Sequence, residues 1–291
     1  MAIQWYPGHM TKARRVLAEA IPQHDVVVEV LDGRMPRASE NPVVAELRGD
    51  KPCIKVLGKS DLADAEITEG WLRHFERIGS ERKDGRGGLL AVALTTTRAH
   101  EARTKIPELA KRLAPARAAA GKAVRVIVVG IPNVGKSTLI NTLMERKVAK
   151  VGDEPAVTKA VQKVVLKSGM ILSDNPGIMW PKIEDDAGGF RLALGGAIPD
   201  TAIDYESVAL FGARFFRKFY PELLLRRYKL DGLPEDDMEL LEAIGRRRGC
   251  LRPGGIVDVH KAADALVHDF RAGALGRISL ERAPVPGAAE R

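Results

Sequence analysis

The stretch GIPNVGKS, residues 130–137, has the spacing of a loop that binds nucleotide phosphates. Gly130 and Gly135 would let backbone N–H groups turn inward around a β-phosphate. Lys136 would reach the β- and γ-phosphate oxygens, and the Ser137 hydroxyl would bind Mg²⁺. A strand-like run precedes this stretch and a helical pattern starts at Thr138, so the context predicts a phosphate loop between a strand and a helix. The expected nucleotide contacts are Asn133, Val134, Gly135, Lys136, Ser137 and Thr138.

The segment DNPG, residues 174–177, follows another apolar run and has the pattern of a second metal loop. Asp174 would hold Mg²⁺ through a water molecule, and the N–H of Gly177 would contact the γ-phosphate. Thr158 lies in the polar segment between the two loops, where it is placed to complete the Mg²⁺ shell. Together the two loops predict a site for a nucleoside triphosphate with Mg²⁺.

A third stretch, VLGKSDLAD at 56–64, predicts the loop that reads the base, through Gly58, Lys59, Ser60 and Asp61. The Asp61 carboxylate can accept hydrogen bonds from both N1–H and N2–H of guanine, whereas adenine offers neither donor. The Lys59 stem would lie over the ring. Gly58 stands where such loops usually carry Asn, so the contact of that amide with N7 is lost. The loop therefore predicts guanine selectivity with weakened binding.

The elements that must carry these loops are short and apolar. Six runs rich in Val, Ile and Leu alternate with amphipathic segments such as 62–78 and 99–113, which indicates an α/β fold with a six-stranded, mostly parallel sheet. The expected strands are 25–31, 52–57, 89–94, 124–129, 161–167 and 170–173.

The order of the motifs along the chain is unusual, because the base loop precedes the phosphate loop. When 124–174 is read before 25–94, the usual order of a GTPase returns. The small, polar, Pro-containing stretch 113–123 reads as the linker between the two blocks. A circular permutation of a phosphate-loop GTPase domain is therefore predicted, because the termini of a domain often lie close together.

The composition and charge of the chain limit its class of partner and its cellular location. The chain has 291 residues, 45% of them hydrophobic, and a formal net charge of +8, which favours a polyanionic partner such as RNA. The apolar runs fall short of the about 18 residues that cross a membrane, and residues 1–10 lack the pattern of a signal peptide. Two cysteines, Cys53 and Cys250, are too few for a disulfide framework and favour a reducing cytoplasm.

The character of the chain changes after residue 183. Residues 1–183 are expected to form the permuted GTPase domain and residues 184–291 a smaller helical domain. Segments 207–229, 234–248 and 258–272 have helical patterns, and the first mixes Phe with basic residues. If the Phe side chains pack inward, the basic ones face outward to bind RNA, or form only a solvated face. The expected RNA contacts are Arg214, Arg217, Lys218, Arg226 and Arg227.

Several longer stretches bear on the family. The chain contains IQWYPGHMTKARR, LDGRMPRASENP, GIPNVGKSTLIN, DNPGIMWPK and RRGCLRPGG. In this combination and order it resembles the circularly permuted YlqF/YawG family of bacterial and organellar GTPases over nearly its whole length. The resemblance implies a permuted GTPase domain that binds GTP or GDP with Mg²⁺, and a helical C-terminal domain that binds ribosomal RNA. The protein is expected to be a cytoplasmic monomer. It also implies a role in late maturation of the large ribosomal subunit, on which the protein would cycle with its nucleotide state.

The resemblance also assigns individual residues. Many GTPases position the attacking water with a Gln after the second metal loop, but Ile178 occupies that position here. The resemblance implies that His9 takes this role and is the catalytic residue. Thr96 and Thr97 align with the loop that backs the guanine, although the glycine pair usual in that loop is missing.

Two questions stay open at this point. The Asn133 amide, beside the β- and γ-phosphate oxygens, either helps to hold K⁺ or only caps the loop. The chain as a whole is expected to be a GTP-driven assembly factor. The alternatives are an RNA-binding module with a weakened nucleotide site and a small-molecule kinase or ATPase that uses the same phosphate loop.

Overall fold

The computed structural model describes residues 9–81, 88–95, 98–144, 162–174 and 185–285. Its sheet has six strands: β1 (Val26–Asp32), β2 (Cys53–Gly58), β3 (Leu89–Ala93), β4 (Arg125–Val129), β5 (Gln162–Val165) and β6 (Ile171–Asp174). The spatial order is β3-β2-β1-β4-β6-β5. All pairings are parallel except that of β5 with β6. The predicted fold class, a six-stranded and mostly parallel α/β sheet, is confirmed.

Twelve α-helices lie in the described part of the chain. They are α1 (His9–Ala20), α2 (Pro36–Ser39), α3 (Pro42–Arg48), α4 (Ala65–Glu81), α5 (Ala102–Leu113), α6 (Pro115–Ala119), α7 (Lys136–Met144), α8 (Asp186–Leu194), α9 (Tyr205–Phe219), α10 (Pro221–Tyr228), α11 (Asp237–Arg248) and α12 (Val259–Arg271). None of them is both long and apolar enough to cross a membrane.

The sheet separates two apolar cores. Every residue of β1 is buried, and successive side chains of a strand point to opposite faces. Val26, Val28 and Val30 therefore join one core, and Val27 and Leu31 join the other. The first core contains α5, α7 and the C-terminal helices, and the second contains α1 and α4, with Leu17, Trp71 and Phe75.

The stretch 113–123, expected to be a linker, contains the short helix α6. Pro115 fits the first turn of a helix because its missing N–H has no partner there, and the alanines that follow favour helix. This helix begins two residues after α5 ends, so the two sequence blocks are joined by an ordered turn of helix rather than by an extended connection.

Four of the five α-helices described after residue 184, which are α8, α9, α11 and α12, begin at carboxylate caps. Asp185, Asp204, Asp236 and Asp258 each accept hydrogen bonds from backbone N–H groups in the first turn of the following helix, which favours helix starts at these positions. The segment 207–229 forms two helices, because Pro221 ends α9 and begins α10. Their core is continuous with the sheet core on the α5 and α7 side. The division of the chain at 183 and 184 stays a prediction.

Candidate functional site: a nucleotide-binding edge of the sheet

The three candidate motifs lie at one edge of the sheet. Strands β2, β4 and β6 run in the same direction, so their carboxyl ends share an edge. The base loop follows β2, the phosphate loop follows β4, and Asp174 ends β6. In open α/β sheets this edge is where ligands bind.

The phosphate loop has the backbone that its sequence predicts. Gly130 has a φ of +145°, and a Cβ there would lie 2.5 Å from the carbonyl oxygen of Val30, so only glycine fits between the strands. Helix α7 begins at Lys136, which directs its first N–H groups and its positive dipole end toward the loop. Lys136 is 8% exposed, and its Nζ donates to the carbonyl of Ile131 over 2.6 Å. The ammonium group therefore lies inside the turn of the loop.

The base loop lies against the phosphate loop. A Cβ on Gly58 would lie 3.0 Å from the carbonyl oxygen of Val134. The carbonyl of Gly58 accepts a hydrogen bond from the N–H of Gly33 over 2.7 Å, and the N–H of Ser60 donates to Leu94 over 3.2 Å. The permuted order of the chain therefore brings together the two loops that a guanine nucleotide needs at its phosphates and at its base.

Lys59 is positioned by two residues that sequence reasoning did not place in the site. Asp32 binds it directly, and Arg34 acts through Asp32. The Nζ of Lys59 donates to the Asp32 carboxylate over 3.0 Å. The same carboxylate accepts from Nε and Nη2 of Arg34, over 2.9 and 2.8 Å, and Asp32 and Arg34 are each 1% exposed. Burial alone would raise the pKa of Asp32, but the charges of Arg34 and Lys59 outweigh it and hold that pKa below its usual range. Asp32 is therefore an ionised carboxylate shared by two cations.

The site is connected to the turn that follows α8. Nη2 of Arg34 approaches the carbonyl of Gly195 at 3.4 Å, and the guanidinium lies 4.6 Å from the centre of the Phe270 ring. Asn133, which has a φ of +59°, donates its Nδ2 hydrogen to the carbonyl of Gly196 over 2.8 Å. The phosphate loop thus contacts the turn after α8 directly, and the base loop is linked to the same turn through Asp32 and Arg34.

Residues 278–281, which we call the C-terminal clasp, bind on the far side of the base loop. The N–H of Ile278 donates to the carbonyl of Leu62 over 2.9 Å, and the N–H of Leu280 donates to the carbonyl of Arg34 over 2.7 Å. Side chains of the clasp accept from the backbone in turn: Ser279 from Asp64 over 3.1 Å, and Glu281 from Ala38 over 2.9 Å. Burial raises the pKa of Glu281. The base loop is therefore flanked by β1 on one side and by the end of the described chain on the other.

Several predicted site residues lie outside the described residues, and for two others only the backbone is described. Thr96, Thr97, Thr158, Gly177 and Ile178 lie outside them. The backbone of His9 begins α1 and that of Asp174 ends β6, while their side chains are not among those described. Asp174 pairs with Val128 across the sheet, two residues before Gly130. The backbone of β6 therefore ends beside the phosphate loop, as its expected role requires.

The five basic residues expected to bind RNA do not all face outward. Arg214 is 73% exposed although it is paired with Asp237, and Lys218 and Arg226 are exposed. Arg217 is half-buried and also pairs with Asp237, over 2.9 Å. Half-buried Arg227 binds both carboxylate oxygens of Asp269. The expectation of a fully outward set is wrong for Arg217 and Arg227, because each bridges to a carboxylate on a neighbouring helix.

Fold and site together define a class of protein. A phosphate loop lies after β4, a base loop with Lys59 and Asp61 lies after β2, and the two loops are in contact in a sheet whose strands occur in permuted order. The chain is a phosphate-loop GTPase with a circularly permuted domain. A family described as "50S ribosome-binding GTPase" matches residues 125–198.

Comparison with known proteins gives the family. Ribosome biogenesis GTPase A of Bacillus cereus is 42% identical, over 97% of this chain and 94% of the relative. Its namesake in Thermotoga maritima is 33% identical, over 96% and 94%. Mitochondrial ribosome-associated GTPase 1 of Mus musculus is 30% identical, over 97% and 91%. The chain belongs to the ribosome biogenesis GTPase A family.

Solved structures agree with this assignment. The GDP-bound structure of YlqF superposes with a TM-score of 0.64 at 27% identity, over 91% of this chain and 97% of that one. The GNP-bound structure of YlqF from T. maritima has a TM-score of 0.63 at 28% identity, over 94% and 98%. The permuted order predicted from the motifs is therefore shared with the YlqF fold.

Proposed function

We propose that this chain binds GTP and GDP, hydrolyses GTP, and acts in late maturation of the large ribosomal subunit, associating with and leaving the particle according to its nucleotide state. The observation that carries the proposal is the close approach of Gly58 to the Val134 carbonyl oxygen, from which a Cβ on Gly58 would lie only 3.0 Å. This approach supports one site formed by the base loop and the phosphate loop. The relatives are named for ribosome biogenesis or ribosome association. We further propose that the protein is a cytoplasmic monomer and that its partners are the large subunit or its precursor and ribosomal RNA.

The phosphates would be held by the loop after β4. Backbone N–H groups from Asn133 to Thr138 would surround the β-phosphate, and Lys136, whose ammonium already lies within the turn, would neutralise charge on the β- and γ-oxygens. Ser137, Thr158 and Asp174 would hold Mg²⁺, which supplies further positive charge to the phosphates when bound, and the Gly177 N–H would contact the γ-phosphate.

The base would be read by Asp61 and covered by Lys59. A carboxylate facing N1–H and N2–H of guanine would be left unpaired by adenine, which makes such a site reject ATP. Thr96 and Thr97 would back the opposite side of the base. Gly58 supplies no amide to N7, so this chain should bind guanine nucleotides more weakly than a relative with Asn at that position.

Hydrolysis needs a group that orients water, and Ile178 offers none. We assign this role to His9, at the start of α1. Further along, Leu17 anchors this helix in the core on the α4 side of the sheet. A ribosomal particle that positions His9 beside the attacking water would accelerate hydrolysis.

Asn133 is the candidate ligand for K⁺. Because its Nδ2 donates to the Gly196 carbonyl, its Oδ1 is the atom that would bind the ion, and that ion would add positive charge beside the β- and γ-phosphates. RNA would bind across the exposed basic residues of α9 and α10, which are Arg214, Lys218 and Arg226. Arg217 and Arg227 would support that surface through their ion pairs.

The second candidate function, an RNA-binding module with a weakened nucleotide site, is favoured by one observation, the presence of Gly58 in the base loop. Calorimetric titration of the full chain with GTP, GDP and ATP separates the two functions. We expect GTP and GDP to bind and ATP not to bind, and Asp61→Asn to lower GTP affinity by about 100-fold, since two hydrogen bonds to a charged acceptor are disturbed. Equal affinity for GTP and ATP in the unmutated chain would exclude the guanine site.

A further inference from the structure

The segment DGR, residues 32–34, lies in the stretch LDGRMPRASENP, for which no role in the nucleotide site is predicted from the sequence. Its first residue ends β1, the strand between β2 with the base loop and β4 with the phosphate loop. Asp32 pairs with Gly58 across the sheet, so its carboxylate lies beside the start of the base loop. The position suits a residue that acts on that loop from the neighbouring strand.

The contacts of Asp32 are specific and buried. Its carboxylate accepts from Nζ of Lys59 over 3.0 Å and from two nitrogens of Arg34. Lys59 has a φ of +54°, a conformation that a non-glycine residue rarely adopts and that needs support from its surroundings. The backbone on either side of Lys59 is held too, because Gly33 N–H donates to the Gly58 carbonyl and Ser60 N–H donates to Leu94.

Arg34 fixes Asp32 in turn. Its guanidinium binds the carboxylate through Nε and Nη2, lies over the Phe270 ring, and approaches the carbonyls of Phe270 and Gly195 at 3.4 Å each. With both residues 1% exposed, neither side chain has room to rotate. The Lys59 ammonium is therefore bound to a carboxylate whose position is set by the C-terminal helices.

We propose that Asp32 is a positioning residue for guanine nucleotides: it holds the Lys59 stem against the base, in place of the anchoring amide that Gly58 lacks, and Arg34 orients Asp32 for this purpose. The proposal rests on the guanine-nucleotide site proposed above. It gives the buried Asp32–Arg34 pair a role in binding, and it makes the affinity of the base loop depend on a strand that carries no nucleotide-binding motif.

A double-mutant cycle tests whether Asp32 acts through Lys59. The full chain is titrated with GDP as unmutated protein, Asp32→Asn, Lys59→Met and the double variant. Each single variant should lose about tenfold in GDP affinity, equivalent to about 1.4 kcal/mol, and the double variant should lose no more than either single one, because both remove the same interaction. Losses that multiply to about 100-fold, or no loss in Asp32→Asn, would overturn the proposal.

The matched control lies one residue before the same strand, at its opposite end. Asp25 also forms ion pairs with two arginines, Arg125 and Arg117. Asp25→Asn should leave GDP affinity at the unmutated value. A loss in Asp25→Asn equal to that in Asp32→Asn would show that any damage to β1 weakens the site, and would refute the positioning role.

A second readout separates positioning from general damage to the base loop. The Lys59 stem covers the ring of any purine, whereas Asp61 reads the exocyclic N2 amine, which IDP lacks. Asp32→Asn should therefore lower the affinity for GDP and the affinity for IDP by the same factor. A change in the ratio of the two affinities would mean that Asp61 has moved as well, which contradicts a role limited to Lys59.

If Asp32→Asn does not fold because Arg34 is left as an unpaired buried cation, the same cycle is run with Asp32→Asn/Arg34→Met, which removes both buried charges. The expected loss of GDP affinity is the same, and addition of Lys59→Met should again cause no further loss. Failure of the unmutated chain to bind GDP would reject the proposed function, whereas an additive cycle on a chain that binds GDP rejects only this inference.

Discussion

Asn133 of the phosphate loop donates a hydrogen bond from Nδ2 to the carbonyl oxygen of Gly196, over 2.8 Å. The preceding carbonyl, that of Gly195, is approached by Nη2 of Arg34 at 3.4 Å, and Arg34 holds Asp32 and, through it, Lys59. The phosphate loop and the base loop therefore reach consecutive residues of one turn after α8. A displacement of this turn would therefore move residues at both the phosphate end and the base end of the nucleotide site.

The Asn133 contact has two measurable consequences. Asn133→Ala removes a hydrogen bond to the C-terminal helices and should lower the free energy of unfolding by about 1 kcal/mol. It should also abolish the difference in GTP hydrolysis between K⁺ and Na⁺ buffers, because the Oδ1 ligand is lost. Equal rates of the unmutated chain in K⁺ and Na⁺ would exclude the potassium role and leave Asn133 as a structural contact.

Hydrolysis stimulated by large ribosomal subunits should depend on His9. His9→Ala should lower the stimulated rate by about 100-fold, as expected for loss of a group that activates water. GTP affinity should be nearly unchanged, because the role proposed for His9 is toward the water rather than the nucleotide. His268→Ala, at an exposed position on α12, is the control and should hydrolyse at the unmutated rate. A normal stimulated rate in His9→Ala would show that another group positions the water.

Adjacent arginines on α10 should behave differently. Arg226 is exposed, so Arg226→Glu should weaken binding to ribosomal RNA and make its salt dependence shallower, without changing stability. Arg227→Gln removes the main partner of Asp269, which is 8% exposed, and should lower the free energy of unfolding by about 2 kcal/mol. Filter binding over a salt series and urea unfolding check the pair. A stability loss in Arg226→Glu alone would reverse these assignments.

Stability should fall in acid through Asp32. A carboxyl with a lower pKa in the folded than in the unfolded chain adds stability above the unfolded value of about 4, and that stability is lost as the pH falls below it. Urea unfolding at several pH values between 7 and 3 should therefore show a smaller acid loss in Asp32→Asn than in the unmutated chain. The exposed Asp50 provides the control, since Asp50→Asn should follow the unmutated curve. If the unmutated chain, Asp32→Asn and Asp50→Asn lose the same amount of stability in acid, Asp32 does not contribute to the acid sensitivity of the fold.

The strands and the phosphate loop were predictable because their signals are local. The Val-rich run that forms β4, the glycines of 130–137 and the helical pattern after Thr138 lie within about 20 residues of chain. The same holds for the base loop, whose placement beside the phosphate loop followed from restoring the motif order. A parallel sheet then leaves one edge for all of the loops.

The contacts that tie the site to the C-terminal helices left no local signal. Asn133 and Gly196 are 63 residues apart, and Arg34 and Phe270 are 236 apart, so neither pair has a spacing that a sequence pattern could show. The mixture of aromatic and basic residues in 207–229 predicted helix, but not its division into α9 and α10. It could not show that Arg227 meets Asp269, because the position of α12 depends on tertiary packing.

Co-sedimentation with large ribosomal subunits tests the central claim most directly. The full chain is mixed with subunits in the presence of a non-hydrolysable GTP analogue, GDP or a non-hydrolysable ATP analogue, and the bound fraction is measured. A nucleotide-controlled assembly factor should pellet with the subunits in the GTP analogue and remain in the supernatant in GDP and in the ATP analogue. The same bound fraction in all three conditions, or no binding in any of them, would contradict the account.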